Sequence, residues 1–147
     1  MSEKYNKKPI IVKNGFCFYK GKRVYDAVKF SVKITPGVST SNVLGERTPN
    51  TRWNGRVEIK FEITRRRSTP WIKEMIRDYL NTGITPEFTL SGVIDDKDSD
   101  YQEAYGKESV TVVGCVPTGE LTAIELDTEG EFLDDVISGN AKDVKFK

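Results

Sequence analysis

GRVEIKFEIT, residues 55–64, alternates without a break. Val57, Ile59, Phe61 and Ile63 fall on one side of an extended chain, and Glu58, Lys60 and Glu62 on the other. Successive side chains of a strand point to opposite faces, so the stretch reads as a half-buried β-strand. Its second face is charged, and meets water or another charged surface. AVKFSVKIT, residues 27–35, repeats the pattern with Val28, Phe30, Val32 and Ile34 against Lys29, Ser31 and Lys33. Two such strands in succession make the fold mainly β.

Upstream, GFCFYKGKRVYD from Gly15 reads as a β-hairpin turning at Lys-Gly-Lys. Downstream, RRRSTPWIKEMIRDYLNTG switches to helical spacing: Ile72, Met75, Ile76, Tyr79 and Leu80 form one apolar stripe. Ser68 or Thr69 is placed to cap this helix, Pro70 suits its first turn and Gly83 its end, which predicts a helix over 70–82. At about three turns it cannot stand alone and must pack on the sheet. PEFTLSGVIDD, ESVTVVGCVP and ELTAIELD read as further strands, with a solvated acidic loop, DDKDSDYQEAYGK, after the first. In the tail a turn is expected near Ser138-Gly139-Asn140, then a last strand. About seven strands and one short helix argue for a single domain, residues 1–147, built as an antiparallel β-sandwich or barrel with a packed α-helix.

Between the two alternating strands lies TPGVSTSNVLGERTPNTRWNG, residues 35–55, rich in Ser, Thr, Asn, Gly and Pro. It reads as a long inter-strand loop. Loops beyond ~12–15 residues are uncommon in compact domains and are often functional or disordered. Yet this one carries Val43, Leu44 and Trp53, which a solvated loop should not want. Ordering it would cost on the order of 1–2 kcal/mol per residue. A second copy of the protein could offset that by burying the apolar groups, which makes them candidate anchors for a neighbour.

Composition narrows the function. The chain has 147 residues, two cysteines and no histidine. Without histidine there is no His-based triad, and most zinc and haem sites are excluded. Cys17 and Cys115 sit in apolar runs and read as buried thiols, not a disulfide. No apolar run is long enough to cross a bilayer and the basic N-terminus lacks a signal-peptide pattern, so a cytoplasmic protein without membrane contact is expected. The net charge of +1 hides an asymmetry: residues 1–94 carry +10, residues 95–135 carry −11 and the remainder +2. Such halves can pair within one fold or between copies.

Three motifs resolve into ordinary surface. Asp96, Asp98 and Asp100 have the spacing of an EF-hand loop, but the glycine position holds Tyr101 and the bidentate glutamate position holds Lys107. Asp95 and Asp96 are neighbours on opposite faces of an extended chain and make poor acid–base partners. No nucleophile elbow, phosphate loop or dinucleotide fingerprint occurs, so neither catalysis nor a cofactor is expected. Arg65-Arg66-Arg67 near Trp71 could touch phosphate and stack on bases, yet a charge run at a strand–helix junction is ordinarily a solvated face.

The order of these segments resembles one family. The hairpin around FYKGK, the alternating strand, VLGER with its apolar pair, glycine and Arg47, GRVEIKFEIT, the short helix, and PEFTLSGVIDD leading into VTVVGCVPTGELTAIELD follow one another as in the tail tube proteins of contractile-tailed phages, in particular the PBSX-like prophage type. The resemblance runs from about Gly15 to about Asp135; the N-terminal arm, residues 1–14, and the tail match poorly. It implies a β-sandwich or barrel flanked by a helix, with six copies closing into a ring and rings stacking into a hollow tube. The long loop would reach neighbouring subunits, making Val43, Leu44, Arg47 and Trp53 the interface candidates. Implied partners are other copies, the tail sheath protein, tape measure and baseplate hub proteins. DNA would enter only as passing cargo. Assembly would take place in the host cytoplasm and end in a virion tail or phage-tail-like bacteriocin. Since a strongly basic channel would hold DNA, Arg65 to Arg67 are expected away from the lumen. The alternative is a monomeric β-barrel that binds nucleic acid through its basic N-terminal half.

Overall fold

The computed structural model describes residues 6–147. Eight strands, two α-helices and a short 3-10 turn are present among them. The strands are β1 (Gly15–Tyr19), β2 (Lys22–Arg23), β3 (Ala27–Ser41), β4 (Asn50–Arg66), β5 (Phe88–Ile94), β6 (Glu108–Pro117), β7 (Asp134–Ala141) and β8 (Asp143–Phe146). Helix α1 spans Trp71–Thr82 and α2 spans Asp100–Tyr105. All pairings are antiparallel, in the order β2-β1-β5-β6-β7-β4-β3, with β8 also on β6. This is the expected mainly β architecture.

The path folds over at β6. Residues 110–113 of β6 pair with β8, while Val116 and Pro117 pair with β7. Between them Gly114 adopts a left-handed φ of 67°, where an added Cβ would stand 2.8 Å from Lys142 Cβ. Only glycine turns the strand there without strain. The two halves of the path enclose one apolar cluster. β4 supplies Ile59, Phe61 and Ile63, β5 supplies Phe88 and Leu90, and Cys17, Val112, Cys115 and Ile137 come from β1, β6 and β7. Trp71, Ile72 and Met75 enter from α1, with the Trp71 ring 4.3 Å from that of Tyr19. The halves stay apart along β3, leaving an apolar cleft of about 830 Å³ lined by Phe16, Val28, Phe30, Val32, Ile94 and Val110.

The first hairpin turns at Lys20 and Gly21, whose φ of 51° and 83° are the paired positive values of a type I′ turn. α1 starts one residue later than predicted and stops at Gly83, at φ 72°, whose N–H donates to Tyr79 O. Neither Ser68 nor Thr69 caps it: Ser68 Oγ donates to Asp26, and Thr69 Oγ1 accepts from Arg65. Only the first two turns of its stripe are covered, so Tyr79 and Leu80 overhang into solvent.

Four other expectations are corrected. Residues 35–55 are not a long loop: β3 and β4 run through them, and only residues 42–49 form the connection. Ser, Thr and Asn disguised a paired hairpin whose Pro36-Gly37 and Asn54-Gly55 mark a bulge, not a loop. Ser138-Gly139-Asn140 is no turn but the middle of β7, where Gly139 sits against Pro117 of β6 too closely for a side chain. ELTAIELD forms no strand: among the described residues, no backbone hydrogen bond joins it to a sheet edge. The acidic loop is partly helical: Ser99 Oγ accepts from Gln102 N and starts α2.

Candidate assembly interface

The β3–β4 hairpin has a base and an arm. Its base, from Ala27↔Arg65 to Pro36↔Val57, lies in the sheet. The register then breaks, and Val38↔Trp53 opens a second ladder that ends at Ser41↔Asn50. Gly37 permits the break, since a Cβ there would stand 2.6 Å from Asn54 Oδ1. Gly55 follows at φ 85°, and Asn54 Oδ1 accepts from Arg56 N. A bulge of this kind bends a strand and frees what lies beyond it from the sheet's plane.

Every residue of the chain from Val38 to Glu58 is exposed. Leu44 is 102% accessible and Trp53 72%. Val43 and Arg47 share the connecting turn with Leu44, while Trp53 lies opposite Val38 on the ladder. The arm thus gathers the four predicted residues at its tip and on its shaft, with no core beneath them. Exposed apolar groups gathered in this way mark contact surfaces.

The arginine run is used up internally. Arg65 and Arg66 lie directly opposite Asp135 and Asp134 across the β4–β7 ladder. Arg65, 8% exposed, stacks on Trp71 and donates to Thr69; its Nη2 is 3.8 Å from Asp135 Oδ2. Arg67 holds Asp135 Oδ1 at 2.9 Å, and Arg66 pairs with Asp134 and lies over Phe132. A patch so engaged offers little to nucleic acid, which removes the strongest support for the monomeric nucleic-acid reading. Part of the charge asymmetry is therefore resolved within the chain.

The acidic loop has a structural employment that its sequence did not reveal. Buried Asp96 accepts from Ile11 N through Oδ2 and from Asp98 N through Oδ1. Asp100 Oδ2 accepts from Lys7 N and Lys8 N. The described part of the N-terminal arm is thus strapped to the turn before α2; Met1 to Tyr5 lie outside the described residues. The D-x-D-x-D spacing serves backbone N–H groups. The signal that could have revealed this is Ser99, an N-cap followed three residues on by Gln102.

Compared with known families, the sequence matches a family model described as phage tail tube protein over residues 5–146. The chain belongs to the phage tail tube protein family. No curated protein matches it. The tail tube chain is also similar to solved structures. A chain from an anti-feeding prophage tube-terminating cap matches with a TM-score of 0.71 at 14% identity, covering 100% of this chain and 94% of that one. One from the sheath/tube terminator of the PVC extracellular contractile injection system matches at 0.68 and 14%, covering 96% and 98%. One from the PVC sheath-tube complex in its extended state matches at 0.66 and 13%, covering 96% and 93%. At these identities the likeness speaks for a shared fold.

Proposed function

We propose that the chain is a structural building block: six copies close into a ring, and rings stack into the inner tube of a contractile phage tail or phage-tail-like particle. The observation that carries this is the hairpin arm, a paired projection with apolar side chains and no core of its own, in a chain of the tail tube family. Val43, Leu44, Arg47 and Trp53 are the contacts it brings to a neighbour. β3 supports the same reading, since an unpaired edge is a hazard unless an assembly covers it. The sheath protein then surrounds the tube, tape measure and baseplate hub proteins meet it, and DNA is at most cargo. Arg65 to Arg67 stay out of the lumen, being held by Asp134 and Asp135. Assembly begins in the host cytoplasm and ends in the particle.

A second reading is a terminating ring that caps a tube, favoured by the likeness to a tube cap and a sheath/tube terminator. A terminator closes a tube instead of extending it. Sedimentation velocity of the wild type and of Leu44→Ser/Trp53→Ser tests the assembly reading. The wild type sediments as rings or longer species and the variant as a folded single copy. A variant that assembles like the wild type removes the arm from the interface.

A further inference from the structure

The stretch ELTAIELDTEGEF, residues 120–132, is held at its two ends and free between them. Leu121 packs against the core, Thr122 O accepts from Arg67 Nη2, and Leu133 O accepts from Arg67 N. Among the described residues, no backbone hydrogen bond joins residues 123–126 to anything. Yet Thr122, Ile124 and Leu126 alternate with Ala123 and Glu125 as a strand does. Ile124 is 68% exposed and Leu126 87%. This is a strand pattern without a partner edge.

Its charge is also unanswered. Glu120, Glu125, Asp127, Glu129 and Glu131 give residues 120–132 a net −5. None of them forms an ion pair among the described residues, whereas the next two acids, Asp134 and Asp135, are claimed by the arginine run. The complement lies on the arm. Arg47, Arg52 and Arg56 against Glu46 give residues 38–56 a net +2, and these arginines too lack ion pairs among the described residues. Among the described residues β3 pairs with β4 alone, so its outer edge runs free along the arm beside exposed Val38 and Trp53.

We propose that residues 120–132 of one copy dock along the hairpin arm of a second copy as an added strand on the free edge of β3. Strand addition satisfies the backbone groups on both sides, and side chains set the partner. Ile124 and Leu126 meet the arm's apolar groups, and the carboxylates meet Arg47, Arg52 and Arg56. The inference rests on the assembly reading and names the partner surface that the arm engages.

Charge reversal tests it. In the first variant, Arg47→Glu/Arg52→Glu takes the arm from +2 to −2; in the second, Glu125→Lys/Glu129→Lys/Glu131→Lys takes the segment from −5 to +1. All five positions are exposed, and thermal melts followed by circular dichroism check that both proteins stay folded. Each variant alone then has like charges on both surfaces, while an equimolar mixture restores opposite charges at every contact. Sedimentation of the wild type over a range of concentrations gives the reference. The expected result is association weakened by roughly tenfold or more in each variant alone, as loss of close interfacial charge pairs produces, and recovered in the mixture. Variants that associate like the wild type, or a mixture that fails to recover, overturn the docking and leave assembly standing. A wild type that stays a single copy at every concentration defeats the assembly reading itself, and the docking with it.

Discussion

Arg67 reaches Asp135 with Nη2 2.9 Å from Oδ1, and the Asp135 side chain is wholly enclosed. One carboxylate thereby fixes the start of β7 against the end of β4 and the entry to α1, because Arg65, directly opposite on β4, approaches its other oxygen. The link is made between the basic and acidic parts of the chain. It ties the arginine run to the fold within a single copy of the chain.

Removing that carboxylate should be costly. Asp135→Asn leaves Arg65 buried with no opposing charge, and breaking one partner of a buried pair costs about 3–5 kcal/mol. Asp134→Asn, in the half-exposed pair with Arg66, should cost only ~0–1 kcal/mol. Urea unfolding of both variants measures the contrast; equal losses would mean that Asp135 is not the anchor.

Gly139→Ala should disrupt the β6–β7 junction. The added methyl would fall onto the Val116 carbonyl oxygen, with Pro117 Cα at 2.8 Å. Backbone atoms cannot step aside as a side-chain end does, so the strands must part. Overpacking alone costs about 1–3 kcal/mol, and here ladder bonds are lost as well. A thermal midpoint within a degree or two of the wild type would contradict the register.

Asp96→Ala should free the N-terminal strap while the sheet remains intact. Ile11 N and Asp98 N lose their acceptor. Tryptic cleavage after Lys13 should then quicken by roughly tenfold or more, as for a segment whose local opening has become easier. Unchanged cleavage would show that Asp100 alone holds the strap.

Burial sets a pH dependence. The Cys115 thiol, which donates to Val112 O, is pushed up to about 11 from an ordinary 9.0, chiefly by desolvation. The folded state holds its proton more tightly than the unfolded state. Its contribution to stability is therefore intact below about pH 9 and is lost as pH rises from 9 towards 11. Stability of the wild type should fall more steeply through that window than that of Cys115→Ala. Parallel slopes would mean that the thiol titrates normally.

Leu44→Ser/Trp53→Ser should leave the stability of the single copy within about ±0.5 kcal/mol, as exposed substitutions do. Urea unfolding at low concentration checks this alongside the sedimentation behaviour. A large loss would place those side chains in the protein's own core.

Much of the sheet was legible because its strands are half-buried. Ile59, Phe61 and Ile63 alternate against charged neighbours, and the turn at Lys20-Gly21 carried its own chemistry. The arm was misread because its strands are exposed on both faces, so no alternation marks them, and Pro36-Gly37 looks like an ending when it is a bulge. Residues 120–127 erred the other way: they alternate, but a strand also needs an edge, which periodicity cannot supply. The four arm residues could be picked out as apolar groups in a polar stretch. The Asp96 and Asp135 anchors could not, because their partners lie 85 and 68 residues away.

The proposed function requires that copies of this chain join one another. Negative-stain electron microscopy of the purified protein over a range of concentrations tests it most directly. Rings of uniform size, or hollow tubes built from them, are the expected result. Separate single-copy particles at every concentration would contradict it.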